Sequence, residues 1–249
     1  MAGEFGRAYH ARVSAHPIDP DRARRPDRAD LTTLHVVVPL RTLAGGKARL
    51  GEALDAEERE ALVAGMLRHE LAVVAAWGRA AIVHVVTLDP ALMPLAQAGG
   101  ARTLLQVREG LNDAIREARA VARTSGASAL LVRPGDLPLL DVAALERLLE
   151  AADAALAAGA GAPIVVLAPA DARDGTNALL LSPPDVIEPA FGPRSLELHA
   201  RAARDVGASL QLVVDPALGF DLDTPQDLDR LEPQRLAELE ALGAAVTPA

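Results

Sequence analysis

The sequence predicts a single-domain α/β fold, with a mostly parallel twisted sheet flanked by helices. From residue 34 onward, short runs of Val and Leu alternate with longer segments rich in Ala, Leu, Arg and Glu. This alternation is typical of βα units whose sheet is buried on both faces. Aromatic residues make up only 2% of the 249 residues, so Ala, Val and Leu have to form the core.

Seven short apolar runs are the candidate strands. They cover residues 34–39, 82–87, 103–107, 129–133, 164–168, 178–181 and 210–214. Ligands bind such sheets outside the carboxyl ends of the strands. The loops of unusual composition in this chain lie at those ends, so we expect the functional residues there.

The clearest predicted helix lies between the first two strands. Asp55 suits its N-cap, and Glu58 completes a capping box. Apolar residues then recur on one helical face. They are Val63, Met66, Leu67, Leu71 and Val74. Further helices are predicted over residues 111–123, 142–158 and 195–206.

Residues 1–30 are predicted to form a flexible N-terminal arm in front of one domain that spans residues 31–249. The segment is rich in Arg, Asp, Pro and His and has almost no apolar periodicity. Its six Arg and five acidic residues, without an apolar stretch, fit neither a secretory signal nor a transit peptide.

Composition excludes several classes of partner. A formal net charge of -9 argues against binding a nucleic-acid backbone, and so few aromatic residues argue against base stacking. No apolar run is long enough to span a bilayer. The absence of cysteine is compatible with a reducing compartment. We therefore expect a cytoplasmic protein with a small-molecule partner, no nucleic acid and no membrane.

Lysine is almost absent from the chain, which makes its one position informative. Lys47 is the only lysine among 25 basic residues, so we expect a need for a compact ammonium that arginine cannot replace. Asparagine is similarly rare and occurs only at Asn112 and Asn177. All three residues lie in glycine-containing loops. A chance surface lysine is the alternative.

The loop around Lys47 matches neither common phosphate-binding motif. A Walker loop would need Gly and Ser or Thr where the chain has Arg41 and Ala48, and no G-x-G-x-x-G follows the first strand. The backbone amides of Gly45 and Gly46 can nevertheless approach an anion closely. With the charge of Lys47, they suit the phosphates of a nucleoside triphosphate.

Carboxylates suited to Mg2+ occur in two other loops. Asp136 ends a strand between two prolines, and Asp221 and Asp223 alternate along an extended segment, which puts them on one side. Mg2+ takes one or two carboxylates together with phosphate oxygens and water, so we expect these three residues as metal ligands. The alternative is a helix N-cap at Asp223 or Thr224, with Pro225 first in the helix.

Six short motifs occur in order between residues 34 and 231. They are GGKARL at 45–50, GLN at 110–112, GDLP at 135–138, DGTN at 174–177, FGPxS at 191–195 followed by His199, and DLDTP at 221–225. On these motifs the chain resembles the 2-phospho-L-lactate or phosphoenolpyruvate guanylyltransferases of coenzyme F-420 biosynthesis. DGTN combined with FGPxS is specific to that family, whereas GDLP alone would be a weak signal.

The resemblance implies a GT-A-like nucleotidyltransferase fold, with one antiparallel strand near Ala178. It also implies that the phosphate of a small three-carbon phospho-acid attacks the α-phosphorus of GTP and displaces pyrophosphate. Lys47, Asp136 and Mg2+ would stabilise the charge that develops. Gly110 and Asn112 would contact the nucleoside, although capping of the following helix is the alternative for Asn112.

The resemblance places the three-carbon acid on Thr176, Gly192 and Ser195. We expect Ser195 to be the N-cap of a helix whose first amides attract anions, and capping alone is the alternative. His199 lies one helical turn further on, where we expect a buried structural histidine. Arg194 replaces a glycine common in the family, which would stiffen the loop or add a cation to the pocket.

Several other functions stay open. A guanylyltransferase for molybdopterin or a cytidylyltransferase would share Lys47 and Asp136 but not the DGTN and FGPxS loops. A GT-A glycosyltransferase would carry Asp-x-Asp where Pro134 stands. A nucleotide-binding regulatory protein without turnover would not need the charged residues. Phosphoenolpyruvate, 2-phospholactate and 3-phosphoglycerate are too similar for the residues to select one, and the resemblance favours the first two.

Overall fold

The computed structural model describes residues 29–43, 47–159, 161–171 and 174–244, which are built around a seven-stranded sheet. The strands are β1 (Leu34–Pro39), β2 (Ile82–Thr87), β3 (Arg102–Leu105), β4 (Ala129–Val132), β5 (Ile164–Pro169), β6 (Thr176–Ser182) and β7 (Ser209–Leu212). Their spatial order is β3, β2, β1, β4, β6, β5, β7. Within this described sheet, β6 alone runs antiparallel to its neighbours. The predicted fold class and its antiparallel strand are confirmed.

The helices include all four that the sequence predicts. They are α1 (Ala56–Trp77), α2 (Leu92–Ala98), α3 (Leu111–Thr124), α4 (Val142–Ala158), α5 (Ser195–Asp205), α6 (Pro216–Gly219), α7 (Pro225–Arg230) and α8 (Pro233–Ala244), and a 3-10 helix spans Ala48–Glu52. The capping box of α1 forms, because Asp55 and Glu58 each accept the other's backbone N–H. Helices α2, α6 and α8 were not predicted, because they are short or bury few side chains. In α8 only Leu239 and Gly243 are buried. No helix in the described ranges has the length and apolar character needed to cross a bilayer.

Both faces of the sheet are covered, as its runs of Val and Leu predict. Val36 and Val38 of β1 lie in an apolar cluster with residues of α1, α2 and α4. Val37, between them, lies in a second cluster with residues of α3 and α5. Successive strand residues point to opposite faces, so β1 is buried along its whole length.

A third apolar cluster fixes two distant loops against each other. Leu50 of the 3-10 helix and Leu222, after α6, are fully buried in it together with Leu62 of α1. Helix α8 closes on α1 at short range, because a Cβ at Gly65 would lie 1.8 Å from the carbonyl oxygen of Leu239. The loops that follow β1 and α6 are therefore held in one place by packing.

The first described residues belong to the domain. Ala29 is buried, and the N–H of Asp30 donates to Ser182 Oγ at 2.8 Å. The Ser182 hydroxyl in turn donates to the carbonyl oxygen of Asp30 at 2.8 Å. The last two residues of the predicted arm thus pack on the domain. Its residues 1–28 lie outside the described residues, as do residues 245–249, and the arm stays a prediction there.

Candidate functional site

Lys47, Asp136 and Asp223 form a group at the carboxyl edge of the sheet that we call the charged cluster. The Lys47 ammonium donates to Asp136 Oδ2 at 2.9 Å and to Asp223 Oδ1 at 2.6 Å. These partners are 89 and 176 residues from Lys47 in sequence. The Lys47 side chain is 12% exposed, which shields the pairs from water and strengthens them relative to surface ion pairs. The structure therefore brings together predicted residues from three loops.

The topology of the sheet explains why these loops meet. The chain places β2 on one side of β1 and later returns to place β4 on the other side. The loops after β1 and β4 therefore border the crevice where the strand order reverses, which is where open α/β sheets bind ligands. Lys47 follows β1 and Asp136 follows β4. Asp223 joins them because the N–H of Leu222 donates to the Asp136 carbonyl oxygen at 3.1 Å.

Lys47 is unusual in both its backbone and its side chain. Its φ of 53° and ψ of 42° lie in the left-handed region, which non-glycine residues rarely adopt and which often marks functional positions. Burial lowers the pKa of Lys47, but the Asp136 and Asp223 carboxylates outweigh burial and raise the pKa above its ordinary value. The ammonium therefore stays charged at neutral pH.

The charged cluster has donor atoms that suit a hard cation. Asp136 Oδ1 is buried and has no hydrogen-bond partner among the described residues, so a bound cation would satisfy it. Among all residues that the structure describes, no three His, Cys, Asp or Glu side chains lie together in a group that could hold a metal ion. Phosphate oxygens and water would have to complete the coordination, as is usual for Mg2+. Asp221 is half-exposed, two residues before Asp223, and its role as a ligand stays a prediction.

The capping alternative for this loop applies to Thr224. Its hydroxyl accepts the N–H of Asp227 at 3.3 Å, and the Asp227 carboxylate accepts the N–H of Thr224 at 2.8 Å. Pro225 is the first residue of α7, as the alternative expects. The side chain of Asp223 is directed to Lys47 instead. A cap and a cation site therefore coexist in adjacent residues.

Some residues that fix the loops of the site were not predicted from the sequence. Asp89, after β2, accepts hydrogen bonds from Thr42 Oγ1 at 3.0 Å and from the N–H of Leu43 at 2.9 Å. These bonds fix the segment that leads to Lys47. Glu117 of α3 accepts two backbone N–H groups of the loop after β3. The signal for Asp89 was its place before a proline at a turn, where Asp commonly bonds nearby backbone.

The predicted nucleoside contacts lie at the start of α3. Gly110 is the N-cap of this helix with a φ of 119°, a conformation that suits glycine. The capping alternative for Asn112 is wrong, because the cap lies two residues earlier. Instead, Asn112 Nδ2 donates to the Phe191 carbonyl oxygen at 2.9 Å, and the Phe191 N–H donates to Asn112 Oδ1 at 2.8 Å. A nucleoside contact of Asn112 stays a prediction, as do Gly45 and Gly46, which lie outside the described residues.

Thr176, His199, Phe191 and Asn112 form a second group that we call the neutral cluster. Thr176 Oγ1 lies 3.0 Å from His199 Nδ1, and His199 Nε2 accepts the N–H of Ala190 at 2.9 Å. The rings of Phe191 and His199 meet edge to face at 5.0 Å. Burial lowers the pKa of His199 to about 4, so its ring is neutral at pH 7. The predicted buried histidine is confirmed, and its contact with Thr176 was missed.

The antiparallel strand brings the two clusters to one edge. Because β6 runs against its neighbours, its first residue, Thr176, lies opposite Pro169 at the end of β5. Strand β6 is also the neighbour of β4, which Asp136 follows. The charged and neutral clusters therefore belong to adjacent strands.

A register shift next to Pro169 determines to which face of the sheet the side chains of Thr176 and Asn177 point. Leu179 lies in the layer of α3 and α5, so strict alternation would put Asn177 on that face and Thr176 on the other. Instead Thr176 contacts His199 of α5, and Asn177 Nδ2 donates to the carbonyl oxygens of α6 residues 218 and 219, both at 3.0 Å. Bulges re-aim side chains in this way. Asn177 consequently holds the chain shortly before Asp221.

The FGPxS loop differs from prediction at its helix start. Ser195 is not the N-cap: Arg194 occupies that position with a φ of 58°, and Ser195 is the first helical residue, 1% exposed. The turn is tight because the Ser195 N–H donates to the Gly192 carbonyl oxygen at 3.1 Å, and Gly192 has a φ of 127°. The Arg194 guanidinium bonds Glu197 on the surface at 2.6 Å, and a contact of its cation with the acid stays a prediction. Its left-handed backbone explains why glycine suits this position.

These elements define a nucleotidyltransferase of the GT-A-like class: an open sheet with one antiparallel strand, and a lysine and carboxylates at the reversal of strand order. Solved structures share the fold. A candidate nucleotide-diphospho-sugar transferase of Desulfovibrio desulfuricans G20 has a TM-score of 0.67 and 16% identity, covering 87% of this chain and 99% of that chain. CMP:2-keto-3-deoxy-manno-octonic acid synthetase complexed with CTP has a TM-score of 0.53 and 16% identity, and the match covers 86% of this chain and 100% of that chain. More particularly, the chain belongs to the family described as CofC-like guanylyl transferases, whose model matches residues 34–232.

Similar proteins agree with this family. The phosphoenolpyruvate guanylyltransferase of Rubrobacter xylanophilus is 42% identical over 200 residues, 80% of this chain and 94% of the relative. That of Sphaerobacter thermophilus is 38% identical over 201 residues, 81% and 93% of the two chains. The 3-phospho-D-glycerate guanylyltransferase of Colwellia psychrerythraea is 31% identical over 197 residues, which cover 79% of this chain and 90% of the relative. The resemblance to guanylyltransferases is confirmed, and the chain is a nucleotidyltransferase enzyme rather than a regulatory protein without turnover.

Proposed function

We propose that this protein transfers GMP from GTP to the phosphate of phosphoenolpyruvate or 2-phospho-L-lactate, with release of pyrophosphate, in coenzyme F-420 biosynthesis. The observation that carries the proposal is the Lys47 ammonium, shielded between Asp136 and Asp223 where the strand order reverses. Reactions of this kind depend on positioning and on neutralising phosphate charge. Membership of the guanylyl transferase family supports guanosine as the nucleoside.

The charged cluster would receive the phosphates of GTP. Lys47 would contact the α-phosphate and the leaving pyrophosphate, and its two carboxylate partners would then be available to hold Mg2+ with the predicted ligand Asp221. When bound, Mg2+ would supply further neutralisation of phosphate charge. The buried, unpartnered Oδ1 of Asp136 supports a cation at this place.

The three-carbon acid would bind beside the neutral cluster, on Thr176, Gly192 and Ser195. Thr176 and Ser195 are almost fully buried residues, at 4% and 1% exposure, and Gly192 leaves its backbone open to close approach. Uncharged donors hold an anion while withdrawing less of its charge than a lysine or arginine would. The attacking phosphate oxygen would therefore keep its nucleophilicity.

The proposed reaction needs no covalent enzyme intermediate. A phosphate oxygen of the acid forms a bond to the α-phosphorus of GTP, and the bond from that phosphorus to the oxygen bridging to the β-phosphate breaks. Pyrophosphate leaves with the bonding electrons, and the product is a diphosphate that joins the acid to guanosine. The attacking oxygen is already anionic, so no general base is required.

Phosphoenolpyruvate is the first candidate among the acids, because the relatives at 42% and 38% identity carry that name. A second candidate is 3-phospho-D-glycerate. The relative of Phenylobacterium zucineum that is named for that acid is 37% identical over 198 residues, so identity alone separates the two acids weakly.

A competition experiment tests the proposal. GTP and Mg2+ are mixed with the enzyme and equal amounts of phosphoenolpyruvate, 2-phospho-L-lactate and 3-phospho-D-glycerate, and the products are identified by mass spectrometry. We expect the guanosine diphosphate adduct of one of the first two acids, with pyrophosphate formed in equal amount. Parallel reactions with CTP address the cytidylyl alternative. A dominant 3-phosphoglycerate adduct, or turnover with CTP and not GTP, would refute the proposal.

A further inference from the structure

The hydrogen bonds around His199 fix the position of a hydrogen atom. A backbone N–H can only donate, so His199 Nε2, 2.9 Å from the N–H of Ala190, has to be the unprotonated nitrogen. In a neutral ring the hydrogen then resides on Nδ1. That nitrogen lies 3.0 Å from Thr176 Oγ1, so Nδ1–H donates and the threonine oxygen accepts.

This arrangement determines what Thr176 can offer to a ligand. A hydroxyl has one hydrogen and two lone pairs. Because His199 supplies the hydrogen of their shared bond, the hydroxyl hydrogen of Thr176 points elsewhere. With the opposite tautomer Thr176 would spend its hydrogen on the ring and present only lone pairs, which repel an anion.

We infer that His199 is a positioning residue that turns the hydroxyl hydrogen of Thr176 toward the anionic groups of the three-carbon acid. The inference rests on the proposed function for the identity of that acid. His199 itself does not take part in the transfer. It acts through Thr176, and its own orientation is set by the backbone N–H of Ala190, the residue before the FGPxS loop.

Four further observations support a fixed ring. His199 is fully buried, and burial lowers its pKa to about 4, so the ring has a single hydrogen to place at neutral pH. The edge of one ring meets the face of the other in its contact with Phe191, at an interplanar angle of 69°. Asn112 holds the backbone of Phe191 through both groups of its amide. The register shift next to Pro169 aims Thr176 at this ring.

A double-mutant cycle tests the inference kinetically. Thr176→Val removes the hydroxyl at nearly constant shape, and His199→Leu removes the ring that orients it. We expect each single variant to raise the KM for the acid about tenfold or more, while the KM for GTP stays near its original value. In the Thr176→Val background, His199→Leu should raise the acid KM little further. A full additional rise in that background would overturn the inference.

The matched control lies on the same helix. Leu198 is 45% exposed on α5, so Leu198→Ala should leave the acid KM unchanged. Thermal melts of all four variants identify any that fail to fold. The kinetic comparison is made only among variants whose melting is cooperative.

Nitrogen NMR of the unmodified protein, labelled in histidine, tests the inference without any substitution. We expect one ring, assigned by its loss in His199→Leu, to show a protonated Nδ1 and an unprotonated Nε2 at pH 7. A protonated Nε2 would overturn the inference. If the enzyme made no adduct with any of the three acids, the proposed function would fail, whereas the tautomer would still decide how Thr176 is oriented.

Discussion

The charged cluster and the neutral cluster lie on adjacent strands and are held in opposite ways. Lys47 is held by two ion pairs, for which an added cation or phosphate competes. The neutral cluster is held by backbone groups of residues 190 and 191, which bond His199 and Asn112. A small ligand does not displace such bonds. The difference suggests that one side of the site exchanges partners during turnover while the other keeps its geometry.

The largest expected effect is on the charged side. Lys47→Met keeps much of the side-chain length and removes the ammonium, so kcat should fall about a hundredfold or more, as it does when a preorganised electrostatic donor is lost. Lys47→Arg should recover only part of the rate, because the planar guanidinium does not fit between two carboxylates as an ammonium does. Steady-state rates at saturating substrates measure both. A near-normal rate in Lys47→Met would show that the Lys47 ammonium is not needed for the reaction.

The next effect concerns the metal. Asp136→Asn keeps the shape of the side chain but removes the charge that a hard cation prefers, so the Mg2+ concentration for half-maximal rate should rise about tenfold or more. Asp153, exposed on α4, provides the matched control, because Asp153→Asn makes the same charge change away from the site. An unchanged Mg2+ dependence in Asp136→Asn would argue against this residue as a ligand.

On the neutral side, substitution should affect one substrate and not the other. Ser195→Ala removes a hydroxyl contact to an anion, worth about 1.5 to 3 kcal/mol, so the acid KM should rise about tenfold to a hundredfold. Binding of GTP, titrated separately, should change little. Ser125→Ala, at an exposed position after α3, serves as the control. Equal losses of GTP and acid affinity in Ser195→Ala would mean that the two sides are not separate.

The neutral side also depends on an uncharged histidine, which predicts a pH effect on stability. Burial lowers the pKa of His199 from 6.5 to about 4, and it does the same for His84 of β2, which lies outside the neutral cluster. The neighbouring His35 of β1, 3.1 Å from His84, adds to the effect on His84. The unfolded chain therefore binds more protons between these values, and stability falls as the pH drops below about 6.5. From pH 7 to pH 5 the loss should be about 2 kcal/mol for each histidine. Urea unfolding at both pH values measures this loss of stability. In His199→Leu the loss should be smaller, because the contribution of His199 is removed. An equally steep pH dependence in that variant would contradict the assignment.

The smallest expected effect is at Arg194. Its left-handed backbone costs roughly 1 kcal/mol or more, and the added freedom of glycine in the unfolded chain offsets about 0.4 to 1 kcal/mol of that cost. Arg194→Gly should therefore change the free energy of unfolding by less than about 1 kcal/mol and leave the acid KM unchanged, because the guanidinium bonds Glu197. Chemical denaturation and steady-state kinetics measure the two quantities. A clear rise in the acid KM would show that Arg194 reaches the acid.

Much of the fold follows from local patterns. The Val and Leu runs predict the strands because residues buried on both faces have to be apolar throughout, and the capping box predicts the start of α1 because its bonds are local. Helix α8 escaped prediction because its fit against α1 depends on Gly65 and Gly243, which carry no periodic signal. Ser195 was misplaced by one residue because the turn from Gly192 sets the helix start.

The sequence by itself determined which chemistry is present: one lysine, carboxylates after β4 and in the DLDTP segment, and hydroxyls in DGTN and FGPxS. The tertiary structure decided which of these residues meet. Lys47 lies between Asp136 and Asp223 because β1 and β4 are neighbours at the reversal of strand order. Thr176 faces His199 because the register shifts next to Pro169. The physical reason is that strand pairing and register are set by contacts distant in sequence, and a change of one residue turns a side chain to the other face.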